Sequence, residues 1–220
     1  MESNPRTKRV GVYDDDKDNI EQLILNADYQ NCIEFCKSAI HRIENNLQTI
    51  NDRHFMWYLH RQLGDCLYEL KEYKKAITIF NTSDMYATDD EYKYKIAWFK
   101  AICYKELNDQ DAATKIFNDC IQYYIKDNRY DLVFTLKICI ADMTQDETLA
   151  LESVNYLVNY INDFSIAKNE NINYQSYSDE AHKTLAIIYY NNGNRLMAYK
   201  SYQGIYNKEN YKKLKGVILS

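Results

Sequence analysis

The chain has 220 residues, a net charge of −5 and 46% apolar residues, enough for a sizeable core in one large domain or two small ones. The acidic balance lacks the basic face that a general nucleic-acid binder uses to displace phosphate counterions, and argues against an RNA-binding helical repeat. One proline and five glycines leave too little punctuation for strands and turns, so the composition predicts helices joined by short loops.

In chain order, residues 1–12 hold no apolar run of a secretory signal and read as a disordered extension carrying Arg6, Lys8 and Arg9. Asp14, Asp15, Asp16 and Asp18 then open a helix, where negative charge suits the helix dipole. The stretch LILNADYQNCIEFCKSAI completes a first helical hairpin near 13–47. A second is expected near 51–86, with LGDCLYELKEYKKAITIF as its centre. Sliding that stretch forward by 37 residues lays it over KAICYKELNDQDAATKIF, in a third hairpin near 91–126 that begins at the acidic pair Asp89 and Asp90. A fourth, fainter copy falls near 129–163 with Ile138, Ala150, Val154 and Leu157. The fifth, near 178–208, repeats the pattern with Ala186, Tyr189, Ala198 and Tyr202, and His182 opens it. Residues 167–178 read as a loop. The closing ENYKKLKGVIL places Tyr211, Leu214 and Ile218 on one helical face, as a capping helix would.

The repeated positions have a packing logic. Gly64, Ala101 and Ala186 are small, so a first helix can approach its partner to about 8–10 Å. Ala76, Ala113 and Ala198 are the reciprocal small positions, and Phe80, Phe117 and Tyr202 fill the space toward the next pair. Tyr73 joins the same packing set. Each hairpin leaves an apolar face that only its neighbour covers, so the units stack. The residues Leu63, Gly64, Leu67, Ala76 and Phe80 resemble the tetratricopeptide repeat, a helix-turn-helix unit of about 34 residues. The departures are the missing repeat-ending proline and the spacings of 44, 37, 37 and 48 between Cys32, Ala76, Ala113, Ala150 and Ala198. The expected fold is an all-α, right-handed α-solenoid of about five such hairpins spanning 13–220, with a C-terminal capping helix. Residues 20–120 also resemble, more loosely, the N-terminal region of tetratricopeptide subunits of the anaphase-promoting complex. That resemblance implies a non-catalytic structural subunit assembling through hairpin edges, in a homodimer or a larger complex.

Chemistry-bearing motifs are scarce. The sequence contains no glycine-rich phosphate loop, no GxSxG, no HExxH and no CxxC. Cys32, Cys36 and His41 share a helix, but the two cysteines occupy the positions that Ala76 and Phe80 occupy in the next unit, so they read as core. All six cysteines, which include Cys66, Cys103, Cys120 and Cys139, fall at apolar helical positions and read as reduced thiols. His60 stands where the repeat has a large apolar residue and reads as packed. The expectation is a protein with no catalytic activity, cofactor or metal. With no apolar run near the roughly 18–20 residues of a membrane span, it is expected to be soluble and intracellular, cytoplasmic or nuclear.

In tetratricopeptide proteins the first helices of the hairpins line a concave face that holds a partner peptide or helix. The resemblance carries that role to Tyr58, Arg61, Asp65 and Tyr68 in the second hairpin, Lys95, Trp98, Ile102 and Lys105 in the third, and Lys183, Ile187 and Tyr190 in the fifth. Aromatic rings would supply contact area, and Arg and Lys would orient an acidic or extended partner. A carboxylate clamp of the chaperone-binding kind is argued against, because Glu21 and Asp65 stand where the clamp has asparagine. The functional expectation is a protein–protein interaction scaffold or adaptor. An alternative reading is a regulatory sensor that clamps a short peptide and changes shape; a helix-turn-helix output domain would favour it, and the sequence shows none.

Overall fold

The computed structural model describes residues 13–45, 47–164, 174–207 and 211–219. Among these, all regular elements are helical. In order they are α1 (Asp14–Leu25), α2 (Tyr29–Glu44), α3 (Ile50–Glu69), α4 (Tyr73–Tyr86), α5 (Asp90–Glu106), α6 (Gln110–Lys126), α7 (Tyr130–Thr144), α8 (Glu147–Phe164), α9 (Tyr174–Asn191), α10 (Arg195–Gln203) and α11 (Lys212–Leu219). The five hairpins and the cap read from the sequence correspond to these helices in pairs. The expected extension over 1–12 lies outside the described residues. So does most of the expected 167–178 loop, but α9 begins at Tyr174 and makes 174–178 helical. His182 consequently sits in the interior of α9 rather than at its start. No described helix is long and apolar enough to cross a membrane.

The chain forms two compact units, with Asp109 ending the first and Gln110 beginning the second. The third sequence hairpin is therefore shared out: α5 closes the first unit and α6 opens the second.

Helix boundaries follow from local chemistry. Thr49 caps α3 in a capping box with Asp52. The Asp52 carboxylate also accepts the Tyr13 hydroxyl at 2.6 Å, fixing the start of α1 to the start of α3. Asp28, Asp89 and Asn194 cap α2, α5 and α10 by accepting backbone N–H groups. Helices α1, α3 and α5 end in the same turn. The residue after the cap is left-handed (Ala27 at φ 54°, Lys71 at 61°, Asn108 at 59°). The next N–H in each case reaches back five residues: Asp28 to Leu23, Glu72 to Leu67, Asp109 to Tyr104. Gly193 supplies the same left-handed residue after α9.

In the first unit, α3 is the central element. Its Phe55, Met56, Leu59, Leu63 and Cys66 pack with Cys32, Cys36 and Ala39 of α2 and with Ala76 and Phe80 of α4. Phe80 lies against Gly64, where a β-carbon would overlap its ring. Its ring also stacks on Phe99 of α5 at 5.6 Å. The buried Ser83 hydroxyl of α4 donates to the Trp57 carbonyl of α3 at 3.0 Å. His60 is 6% exposed, its Nδ1 lies 2.8 Å from the Met56 carbonyl and its ring stacks on Tyr86, so it is packed as its register predicted. Cys32 and Cys36 are fully buried, whereas His41 on the same helix is exposed, which separates it from both thiols.

The second unit repeats the scheme with Phe117, Ala113 and Cys120 on α6, Leu136 and Ala141 on α7, Ala150 and Leu157 on α8, and Ala186 and Ile188 on α9, all fully or nearly fully buried. Phe134 stacks on Tyr156 with centroids 3.8 Å apart. Buried Asp179 of α9 accepts the backbone N–H groups of Tyr206 (2.7 Å) and Asn207 (2.9 Å), tying down the chain that leads to the capping helix. Ile218 of α11 is buried, as the apolar face of that helix predicted.

The contact at Gly64 generates a test. Ala normally stabilises a helix interior over Gly by about 1 kcal/mol. At Gly64 the added methyl must displace a fully buried ring, and such overpacking costs about 1–3 kcal/mol. Gly64→Ala is expected to lower stability in urea unfolding, and to cost less in a Phe80→Leu background. Equal stabilisation in both backgrounds would contradict the packing.

Candidate functional site

Three helices of the first unit enclose an open cavity of about 590 Å³. Helix α1 contributes Glu21, Ile24 and Leu25. Helix α3 contributes Arg61, Gln62, Asp65, Cys66, Tyr68 and Glu69, and α5 contributes Phe99 and Ile102. Tyr29 and Phe80 complete the wall. Helical spacing explains the set: 61, 65, 68 and 69 lie on one face of α3, and 21, 24 and 25 lie on one face of α1. Leu25 is 75% exposed at the rim, while Cys66 and Phe80 are buried in the floor.

Arg61 and Asp65 are the charged centre of this wall. One turn apart on α3, they form an ion pair at 2.8 Å. The Arg61 guanidinium also lies 4.9 Å from the centroid of the Phe99 ring. Its Nε–H is buried with no acceptor among the described residues. Burial pushes the Asp65 carboxyl up to about 6 while Arg61 pulls it down, so desolvation outweighs the pairing. Tyr68 packs against Tyr73 with centroids 5.4 Å apart, and burial followed by the Glu106 charge raises its hydroxyl to about 12.

Two smaller cavities flank the same unit. One, of about 340 Å³, is lined by Tyr13, Asp14, Lys17, Asn51, His54, Phe55, Trp57, Tyr58 and Tyr92. The other, of about 370 Å³, lies between α2, α3 and α4 and includes Ile33, Lys37, Lys75 and Thr78.

The residues expected on the concave face separate accordingly. Arg61, Tyr68 and Ile102 line the large cavity, together with Asp65. Tyr58 lines the 340 Å³ cavity instead. On α5 the inward pair is Phe99 and Ile102; Trp98 and Lys105 are half-buried and Lys95 is exposed, and none of the three is in the large cavity's wall. Lys95 pairs with Glu91 at 2.6 Å. Lys183, Ile187 and Tyr190 are half-buried residues of α9 in the second unit. Lys183 pairs with Glu180, and its ammonium lies 6.0 Å from the ring of Tyr211 beside the capping helix. Arg61, Lys95 and Lys183 thus already pair with carboxylates of their own helices.

The α1 wall and Phe99 were absent from the expected list, yet a signal existed. The 44-residue offset that aligns Cys32 with Ala76 carries Asp65, Tyr68 and Glu69 back to Glu21, Ile24 and Leu25. The 37-residue offset carries Gln62 forward to Phe99.

Asp65 gives a direct electrostatic test. Its folded value lies above the ordinary 3.8, so its ionised form is a destabilising contribution present above pH about 6 that fades as pH falls toward 4. Arg61→Leu removes the attraction and leaves the desolvation. The Asp65 midpoint, followed by carboxyl-carbon NMR, is expected to rise above 6; an unchanged or lower midpoint would contradict the pairing.

The tetratricopeptide repeat model matches residues 100–124, from the end of α5 into α6. A search of curated proteins finds no match. Among solved structures, the chain is similar to a Podosopora anserina protein assigned as a kinesin light chain with nearly identical TPR-like repeats (TM-score 0.60, 12% identity, 88% of this chain and 92% of that one). It is similar to the Rap conjugation gene regulator of plasmid pLS20 in complex with the Phr* peptide (TM-score 0.62, 14% identity, 96% of this chain and 60% of that one). It is also similar to the apo quorum sensor NprR from B. thuringiensis (TM-score 0.61, 12% identity, 88% of this chain and 53% of that one). At such identities the likeness is one of fold. The chain has the all-α fold of tetratricopeptide-repeat proteins, and one of its repeats, at 100–124, is recognisable in sequence.

Proposed function

We propose that this chain is a non-catalytic protein–protein interaction scaffold whose first unit holds a peptide segment or helix of a partner in the cavity between α1, α3 and α5. The observation that carries the reading is the wall itself. It combines the exposed anchor Leu25, the half-buried rings of Tyr68 and Phe99, Ile102, and the Arg61–Asp65 ion pair in one opening of about 590 Å³. Apolar pockets with a few convergent polar groups are where ligands bind. Rigid rings supply contact area at low entropic cost. The Rap regulator, similar in fold, is seen with a peptide bound, which supports a peptide as the class of occupant. Of the residues expected on the concave face, Arg61, Tyr68 and Ile102 form the site in this reading.

Panning a library of random 12-residue peptides against the full chain tests it. Enriched peptides are expected to bind the wild type at least tenfold more tightly than Leu25→Lys or Ile102→Lys, a loss of about 1.4 kcal/mol or more. Met85→Lys, on α4 and outside the cavity wall, is expected to leave binding unchanged. Absence of any enriched peptide, or equal loss in all three variants, would overturn the reading.

A further inference from the structure

We propose that the α1–α3–α5 cavity selects peptides carrying lysine or arginine beside their apolar anchors, and disfavours acidic ones. The inference rests on the peptide-site reading and adds the charge of the occupant. Of the acidic or extended partner expected from the Arg and Lys residues of the sequence, it keeps the extended form and not the acidic charge.

The cavity's charges differ in how far they are already engaged. Glu21, Asp65 and Glu69 line the cavity against a single cation, Arg61. Arg61 is doubly committed, to the Asp65 carboxylate at 2.8 Å and to the face of Phe99. An acidic side chain entering the site would have to draw Arg61 away from Asp65, stranding a partly desolvated carboxylate, and would face Glu21 and Glu69 as like charges. A basic side chain displaces nothing. Glu21 and Glu69 are exposed carboxylates of the wall, and neither forms an ion pair among the described residues. Lysine or arginine flanking leucine or aromatic anchors therefore matches the wall in both polarity and apolar area.

The test uses three libraries of synthetic 12-residue peptides with Leu, Phe or Tyr at alternate positions. The remaining positions are all Lys, all Gln or all Glu, and binding to the full chain is measured by fluorescence anisotropy at 50 mM and 500 mM NaCl. The expected order is Lys over Gln over Glu, with at least about a tenfold ratio between the extremes at low salt that narrows at high salt, as rim charges are screened. A Glu21→Lys, Glu69→Lys double variant is expected to reverse the order. A Glu34→Lys, Glu44→Lys variant makes the same change in net charge on exposed positions of α2, and is expected to keep it. If the Glu library binds as well as the Lys library while Leu25→Lys still weakens both, the charge inference fails and the peptide site stands. The charge inference also fails if the α2 variant erases the preference as fully as the cavity variant does. If no library binds, or Leu25→Lys changes nothing, the peptide-site reading itself fails.

Discussion

The first unit depends on the missing side chain at Gly64. The space that a β-carbon would take on α3 is filled by the ring of Phe80 from α4, and the same ring stacks on Phe99 of α5. One aromatic side chain thereby sets the approach of three helices. Interiors are packed to crystal density, so a shift of that ring cannot be absorbed locally. Phe80 is also part of the cavity's wall, so the contact that holds the helices together fixes the depth of the site. Stability and the shape of the cavity share a single cause here.

Some polar groups close the structure: Asp52 receives the Tyr13 hydroxyl and caps α3 in the first unit, and Asp179 collects two backbone N–H groups before the capping helix in the second. Others, such as the buried indole N–H groups of Trp57 and Trp98, have no acceptor among the described residues. The cavity wall holds a further case. Asp65 is held partly out of solvent at a cost that its ion pair with Arg61 does not fully offset, and the Arg61 Nε–H has no acceptor among the described residues. Unsatisfied groups of this kind lower stability where they stand and supply specificity to whatever satisfies them.

Much of the helical arrangement was legible because it rests on residue size at fixed spacing. Gly64, Ala76 and Phe80, their copies at Ala101, Ala113 and Phe117, and Cys32 with Cys36 in the first hairpin are all buried as the repeat required. The turns were less legible. Ala27, Lys71 and Asn108 take left-handed conformations normally given to glycine, so the turn sites carry no glycine signal. The cavity was half legible. Arg61, Tyr68 and Ile102 were read from the repeat register; Phe99, which the same register pairs with Gln62, was not, and α5 places it rather than Trp98 in the cavity wall. That one-residue difference is about 100° of helix rotation, set here by the stacking of Phe99 on Phe80. The pairing of Lys95 with Glu91 and of Arg61 with Asp65 is visible as i,i+4 spacing, but whether such a pair also faces a cavity depends on neighbouring helices. The division of the chain at Asp109 has no compositional mark, since the NDQD sequence there contains neither glycine nor proline.

The central claim is that the occupied face of the first unit is the one formed by α1, α3 and α5. Amide chemical-shift mapping of the isotope-labelled chain, titrated with its tightest-binding peptide, tests this most directly. The account predicts that the largest changes fall on Glu21, Ile24, Arg61, Asp65, Phe99 and Ile102. Changes centred instead on Lys37, Lys75 and Thr78, around the cavity between α2, α3 and α4, would contradict it.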